Sequence, residues 1–264
     1  MVFGKQVRLN RLTKNGRMLC IPMDHSFTIG PVVGLENPEE MIVKVAKGGA
    51  TSFLVHKGII KAMKKPANIG MIMHVSASTS LSPTPNRKVV NSSVLEGLRL
   101  GADAISVHVN MGSKEEPEML EQLGMIADDC DEYQVPLVAM MYPRGEKIKN
   151  PEDPDVVAHV ARVGAESGAD IVKTVYTGDA RSFSEVVRKC PVPVVLAGGA
   201  KVGTDAQVLK LASDVMEAGA MGVTFGRNVF QHRDPTLIVR AIRRIVIDRT
   251  SVEEAMEVMS SASA

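Results

Sequence analysis

The chain has 264 residues, enough for one α/β barrel or two small domains, and enough to bury roughly 75 % of the surface its unfolded form exposes. Hydrophobic content of 45 % and charged content of 23 % describe an ordinary soluble globular protein, with an aliphatic and thioether core, since there are 16 Met and no Trp. A net charge of +1 gives no reason to expect nucleic acid or an anionic membrane as partner.

The first apolar run, residues 18–23, predicts a strand that ends at Asp24-His25. Asn37-Pro38 followed by Glu39-Glu40 supplies an N-cap, an N1 proline and an acidic first turn, predicting a helix over 38–47. Strands over 52–56 and 71–75 come next, then a helix over 89–100 and a strand over 104–109. A helix over 119–131, a strand over 136–142 and a helix over 155–166 lead to a strand over 171–176. Strands over 193–197 and 222–225 flank a helix over 205–217, and a helix over 235–248 carries Ile238, Ala241, Ile242 and Ile245 as one stripe. Residues 251–259 predict one more helix, packed on a neighbour or on its own barrel, and 260–264 read as a frayed end.

The strand segments are continuous apolar runs, as expected of a parallel sheet covered on both faces. Gly49, Gly101, Gly168 and Gly219 each close a helix before the second, fourth, sixth and eighth strands, a place that suits a C-cap glycine. Eight strand–helix units over 1–264 predict a single (β/α)8 TIM barrel with an extra C-terminal helix. A doubly wound open sheet competes, but no glycine-rich dinucleotide fingerprint follows the first strand. Cys20, Cys130 and Cys190, odd in number and far apart, read as buried thiols in a reducing compartment. With no signal peptide and no apolar run near ~18 residues, the cytoplasm is the expected location.

Barrel chemistry gathers at the C-terminal strand ends. Those ends carry Asp24-His25, His56, His74, His108, Tyr142, Arg144, Lys173, Gly198-Gly199 with Lys201, and Gly226-Arg227. Lys173 lies in an apolar run, where desolvation is expected to lower its pKa and supply the neutral amine that a Schiff-base nucleophile needs. Asp24 and Tyr142 are the candidate proton handlers beside it. Gly198, Gly199 and Gly226 bring backbone N–H groups near an oxyanion, with Lys201 and Arg227 adding charge. The four strand-end histidines offer a competing metal site, although no His-x-His or His-Glu-x-x-His spacing is present.

Pro22-Met23-Asp24-His25, Met140-Met141-Tyr142-Pro143-Arg144-Gly145, Asp170-Ile171-Val172-Lys173-Thr174, Ala197-Gly198-Gly199-Ala200-Lys201 and Gly226-Arg227-Asn228-Val229-Phe230-Gln231 fall in an order that resembles the archaeal-type class I, Schiff-base aldolases. The resemblance runs over nearly the whole chain. It implies that Lys173 forms the Schiff base, that Asp24 and Tyr142 serve acid/base steps, and that Gly199, Lys201, Gly226 and Arg227 hold a substrate phosphate. His25 and Arg144 join them as expected substrate contacts. The implied substrate is a phosphorylated ketose, with no cofactor and no metal, and the implied assembly is a homo-oligomer, a decamer in that family.

Two branches of that family differ near the tyrosine. Fructose-bisphosphate aldolases carry a tryptophan where this chain has Met140. Met140-Met141-Tyr142, Pro22-Met23-Asp24-His25 and Leu81-Ser82-Pro83-Thr84-Pro85 are similar to the 2-amino-3,7-dideoxy-D-threo-hept-6-ulosonate synthase branch. That branch uses aspartate semialdehyde as acceptor on a route to aromatic amino acids. Ser26 stands where a glycine is usual, and related enzymes with a serine there join aspartate semialdehyde to dihydroxyacetone phosphate. Outside the family, a metal-dependent lyase using the histidines and a non-catalytic phosphosugar-binding barrel are the competing readings.

Overall fold

Short apolar segments pair side by side until the last meets the first. A computed structural model of the chain describes residues 3–260. Its strands are β1 Met18–Pro22, β2 Ser52–His56, β3 Gly70–His74, β4 Ser76–Ala77, β5 Val89–Val90, β6 Ala104–Met111, β7 Leu137–Pro143, β8 Ile171–Thr174, β9 Val194–Ala197 and β10 Gly222–Thr224. β4 and β5 form a separate antiparallel ribbon. The other eight close a parallel barrel, in the order β1, β2, β3, β6, β7, β8, β9, β10 and back to β1.

The pleat sends alternate side chains to opposite faces and so builds two apolar layers. Inside the barrel lie Cys20, Leu54, Ile72, Val138, Ile171 and Val195. Outside, Phe53, Val55, Ile105, Ala139, Val172 and Leu196 meet the helices. The N-terminal helix Gly4–Leu12 lies across the N-terminal strand ends and inserts Leu12, fully buried, into the interior cluster. Ile171 faces in and Val172 faces out, so Lys173 faces in, above a closed floor.

Glycine at 49, 101, 168 and 219 takes φ of 95°, 85°, 96° and 85°, so the expected helix-closing role is met by left-handed backbone at all four. The helix expected over 89–100 is shorter, Val94–Arg99, because Val89–Val90 pair with Ser76–Ala77 instead and Ser93 caps the helix by accepting from the Glu96 N–H at 3.1 Å. The strand expected to reach residue 176 stops at Thr174. The C-terminal helix Val252–Ser260 packs on its own barrel, burying Ala255 and Met259 against Pro235–Val246 and Asp205–Glu217. Residues 261–264 of the expected frayed end lie outside the described residues. All three cysteines are free and buried, and no described helix is long and apolar enough to cross a membrane.

Candidate active site

Two cavities, of about 230 and 250 Å³, open at the C-terminal strand ends. His25, Tyr142, Arg144, Lys173 and Arg227 line both, so they are two lobes with a common wall. The first lobe continues over Asp24, His56, His74, His108, Ser78 and Lys88. The second continues over Gly198, Gly199, Gly226 and Tyr176. Eight of the ten expected site residues therefore line the second lobe or the shared wall, and Asp24 lines the first.

Lys201 is the exception. It is exposed, and its ammonium donates to the Gln231 carbonyl at 2.9 Å instead of lining either lobe. Gly198 also differs from expectation. Its N–H extends the sheet ladder by donating to the Thr224 carbonyl at 3.1 Å, and a Cβ there would sit 2.6 Å from the Phe225 ring. Gly198 is thus a packing glycine, whereas Gly199, at φ +64° with open space around it, exposes its backbone to the lobe. Arg227 holds that loop by donating Nη2–H to the Gly199 carbonyl at 2.8 Å, while Asn228 braces it through Gly198. The Arg227 Nε atom is buried and has no hydrogen-bond partner among the described residues.

Lys173 is 6 % exposed and hydrogen-bonds the Tyr142 phenol. Burial by itself would push its ammonium down, but the Tyr142 oxygen and the Asp24 carboxylate outweigh burial and raise its pKa. This corrects the expectation of a lowered lysine: desolvation was the only influence visible along the strand, and the opposing groups arrive from β7 and from the end of β1. The resting residue is an ammonium.

Asp24 precedes the short helix His25–Ile29 but makes no capping bond, so its carboxylate is free to face the lobe. Burial opposes its ionisation, yet His74, His25 and Lys173 together hold it well below the usual carboxylate range. Burial pushes His74 down to about 3, so at neutral pH His74 is uncharged and the Lys173 ammonium is the cation that keeps Asp24 ionised. His25 sits with Nδ1 3.5 Å from Asp24 Oδ1, and burial lowers its pKa as well.

The other histidines form a chain of ring contacts along the first lobe. His56 and His74 rings lie 5.1 Å apart, His74 and His108 6.5 Å, and His108 and Tyr142 4.8 Å. His74 pairs with the Ser106 hydroxyl at 2.8 Å, and His108 with Asn110 Oδ1 at 2.8 Å. Among the described residues no three His, Cys, Asp or Glu side chains converge to hold a metal ion. Arg144 lies over the Tyr142 ring, its guanidinium carbon 4.6 Å from the ring centroid.

Sequence reasoning missed Lys88, Ser76 and Ser78. All three come from the ribbon, whose two-residue strands leave no periodic signal.

A closed parallel barrel that buries a lysine among ionisable groups at its mouth has the form of a recognisable class, the barrel aldolases. Similarity to known proteins points to the same class. Residues 18–232 match the family described as DeoC/LacD family aldolase. The chain is 45 % identical over 258 residues to 2-amino-3,7-dideoxy-D-threo-hept-6-ulosonate synthase 1 of Archaeoglobus fulgidus, covering 97 % of this chain and 96 % of that one. It is 41 % identical over 237 residues to 2-amino-4,5-dihydroxy-6-oxo-7-(phosphonooxy)heptanoate synthase of Streptomyces griseus, covering 88 % and 86 %. Among solved structures, a Schiff-base-forming fructose-1,6-bisphosphate aldolase superposes with a TM-score of 0.86 at 33 % identity, over 92 % of this chain and 99 % of that one. The chain belongs to the DeoC/LacD family of aldolases.

Proposed function

We propose that the chain is a Schiff-base aldolase that moves a three-carbon fragment from a phosphorylated ketose to aspartate semialdehyde. The observation that carries this reading is the placement of Lys173 on the wall between two lobes, in contact with Tyr142 and within the field of Asp24. Its two most similar relatives named above both make seven-carbon amino-keto acids, which agrees with a four-carbon amino aldehyde as acceptor.

The steps follow from the groups present. The Lys173 ammonium gives up a proton, with the Asp24 carboxylate as the acceptor at hand, and the amine attacks the ketose C2. The nitrogen of the adduct gives up one proton as the former carbonyl oxygen takes up two and leaves as water, giving the iminium. The C3–C4 bond electrons flow into the iminium as the C4 hydroxyl proton passes to the base, and an aldehyde departs. The enamine C3 then attacks the acceptor's carbonyl carbon, whose oxygen is protonated, and water frees the product from Lys173. Asp24 stabilises the cationic iminium throughout. Gly199 and Arg227 hold the donor's phosphate in the second lobe, and His25 and Arg144 contact substrate from the shared wall.

Cleavage of fructose 1,6-bisphosphate is the second reading, favoured by the structural relative at 33 % identity. Met140 lines the first lobe at the position where the resemblance places a tryptophan in that branch, which weighs against it.

The test is to incubate the protein with dihydroxyacetone phosphate, reduce with borohydride and map the adduct by mass spectrometry. An adduct on Lys173, followed by product formation with aspartate semialdehyde, is the expected result. Turnover with no adduct on Lys173 would sink the proposal, and turnover of fructose 1,6-bisphosphate alone would replace the acceptor.

A further inference from the structure

The first lobe contains a cation that the chemistry above leaves unused. Lys88 is 7 % exposed, lines that lobe and donates a short hydrogen bond to the Ser78 hydroxyl. It has no ion-pair partner among the described residues. A buried ammonium without a counter-anion is costly, and chains keep such a group when a ligand completes it. Burial, with Arg144 nearby, pushes Lys88 down to about 8, while Asp24 opposes the shift from a distance.

The position is built rather than incidental. Ser78 follows β4 and Lys88 precedes β5, so pairing of the ribbon sets both at the lobe's rim. Ser76 accepts the His108 N–H at 2.9 Å, tying the ribbon to β6. Asn110 donates to the Asn86 carbonyl at 2.8 Å, and Ser78 donates to the Pro85 carbonyl at 3.0 Å, holding the intervening loop. The lobe carries Lys88, Arg144, Lys173 and Arg227 as cations against one carboxylate, Asp24.

We propose that Lys88, held by Ser78 on the ribbon and assisted by Arg144, binds the anionic group of the aldehyde acceptor, so that this lobe selects acceptors bearing a carboxylate or a phosphate. The proposal rests on the Schiff-base reading. The donor phosphate occupies the lobe at Gly199 and Arg227 and the donor carbons are held on Lys173, which leaves Lys88 and Arg144 of the first lobe for the second substrate. The acceptor's aldehyde then points down to Lys173 and Asp24, while its anion is held at the ribbon.

The experiment measures kcat/KM for three acceptors: aspartate semialdehyde, glyceraldehyde 3-phosphate and uncharged glyceraldehyde, with wild type, Lys88→Gln and Lys88→Arg. Lys88→Gln is expected to lower the ratio of the better anionic acceptor to glyceraldehyde by about ten- to a hundredfold, mostly through KM, as for a lost charge-assisted hydrogen bond. Lys88→Arg is expected to keep most of that ratio. Whichever anionic acceptor loses more tells which anion the site serves. An unmoved ratio, or equal falls on charged and uncharged acceptors, overturns the role of Lys88. Borohydride trapping of Lys173 in wild type needs no acceptor, so its failure would indict the Schiff-base reading separately. Trapping in each variant reports that the barrel has folded.

Discussion

Lys173 and Asp24 favour each other's charged form against burial, with Tyr142 acting on the lysine as well. Asp24→Asn removes one of the groups that raise the lysine's pKa and so lowers it. A lower pKa gives more free amine at a given pH, so the acid limb of Schiff-base formation should move to lower pH. The plateau rate should fall by about 10²–10⁴-fold, as expected on loss of a general acid/base. Borohydride trapping across a pH series reads both effects; an acid limb that stays in place would show that Asp24 does not set the charge of Lys173. Gly226 acts at the same scale through packing. A Cβ there would lie 2.7 Å from His25 Cε1 and 3.1 Å from the Pro22 carbonyl, so the glycine makes room for the ring that lines both lobes.

The barrel strands were legible because each is a run of apolar residues buried on both faces, and the helix over Asp205–Glu217 starts where its Thr204 capping box begins. The ribbon was not legible: two-residue strands in a Ser, Thr and Pro-rich stretch are defined only by pairing with each other, and Lys88 went unseen with them. The helix Gly4–Leu12 also escaped, because it exposes Val7 and buries only Leu12, leaving no apolar stripe to detect. Lys173 stood out as a lysine in an apolar run, but its raised pKa depends on groups from other strands that folding brings to it. Lys201 looked like a phosphate ligand from its place beside Gly199, yet its side chain turns to Gln231. The plug makes an element-scale prediction. Leu12→Ala should cost about 2–5 kcal/mol, because it opens a cavity at the barrel floor that rigid strands cannot close. Urea unfolding measures it; a loss under about 1 kcal/mol would mean that the helix is dispensable to the core.

Across the whole molecule, the lobe histidines set an acid limit on stability. Burial lowers the pKa of His25, His56, His74 and His108, with His74 reaching about 3 and His108 well below its usual value. The unfolded chain takes up these protons near pH ~6.5, whereas the native state refuses them until lower pH. Their contribution is therefore fully present above ~6.5 and is lost as pH falls from there toward about 3. Melting temperature should drop steadily from pH 7 to pH 4, by about 2–4 °C per kcal/mol lost, and His74→Gln should flatten the slope. A melting temperature independent of pH over that interval would contradict the neutral, buried state of these rings. The closed floor beneath Lys173 has a kinetic consequence too. With the interior stopped by Leu12, the ligands of the proposed transfer all enter and leave at the C-terminal strand ends, and the departing aldehyde and the incoming one would compete for the same berth. Turnover must then alternate: the first aldehyde leaves before the second enters, initial-rate plots against both substrates run parallel, and excess acceptor slows the enzyme by blocking the donor.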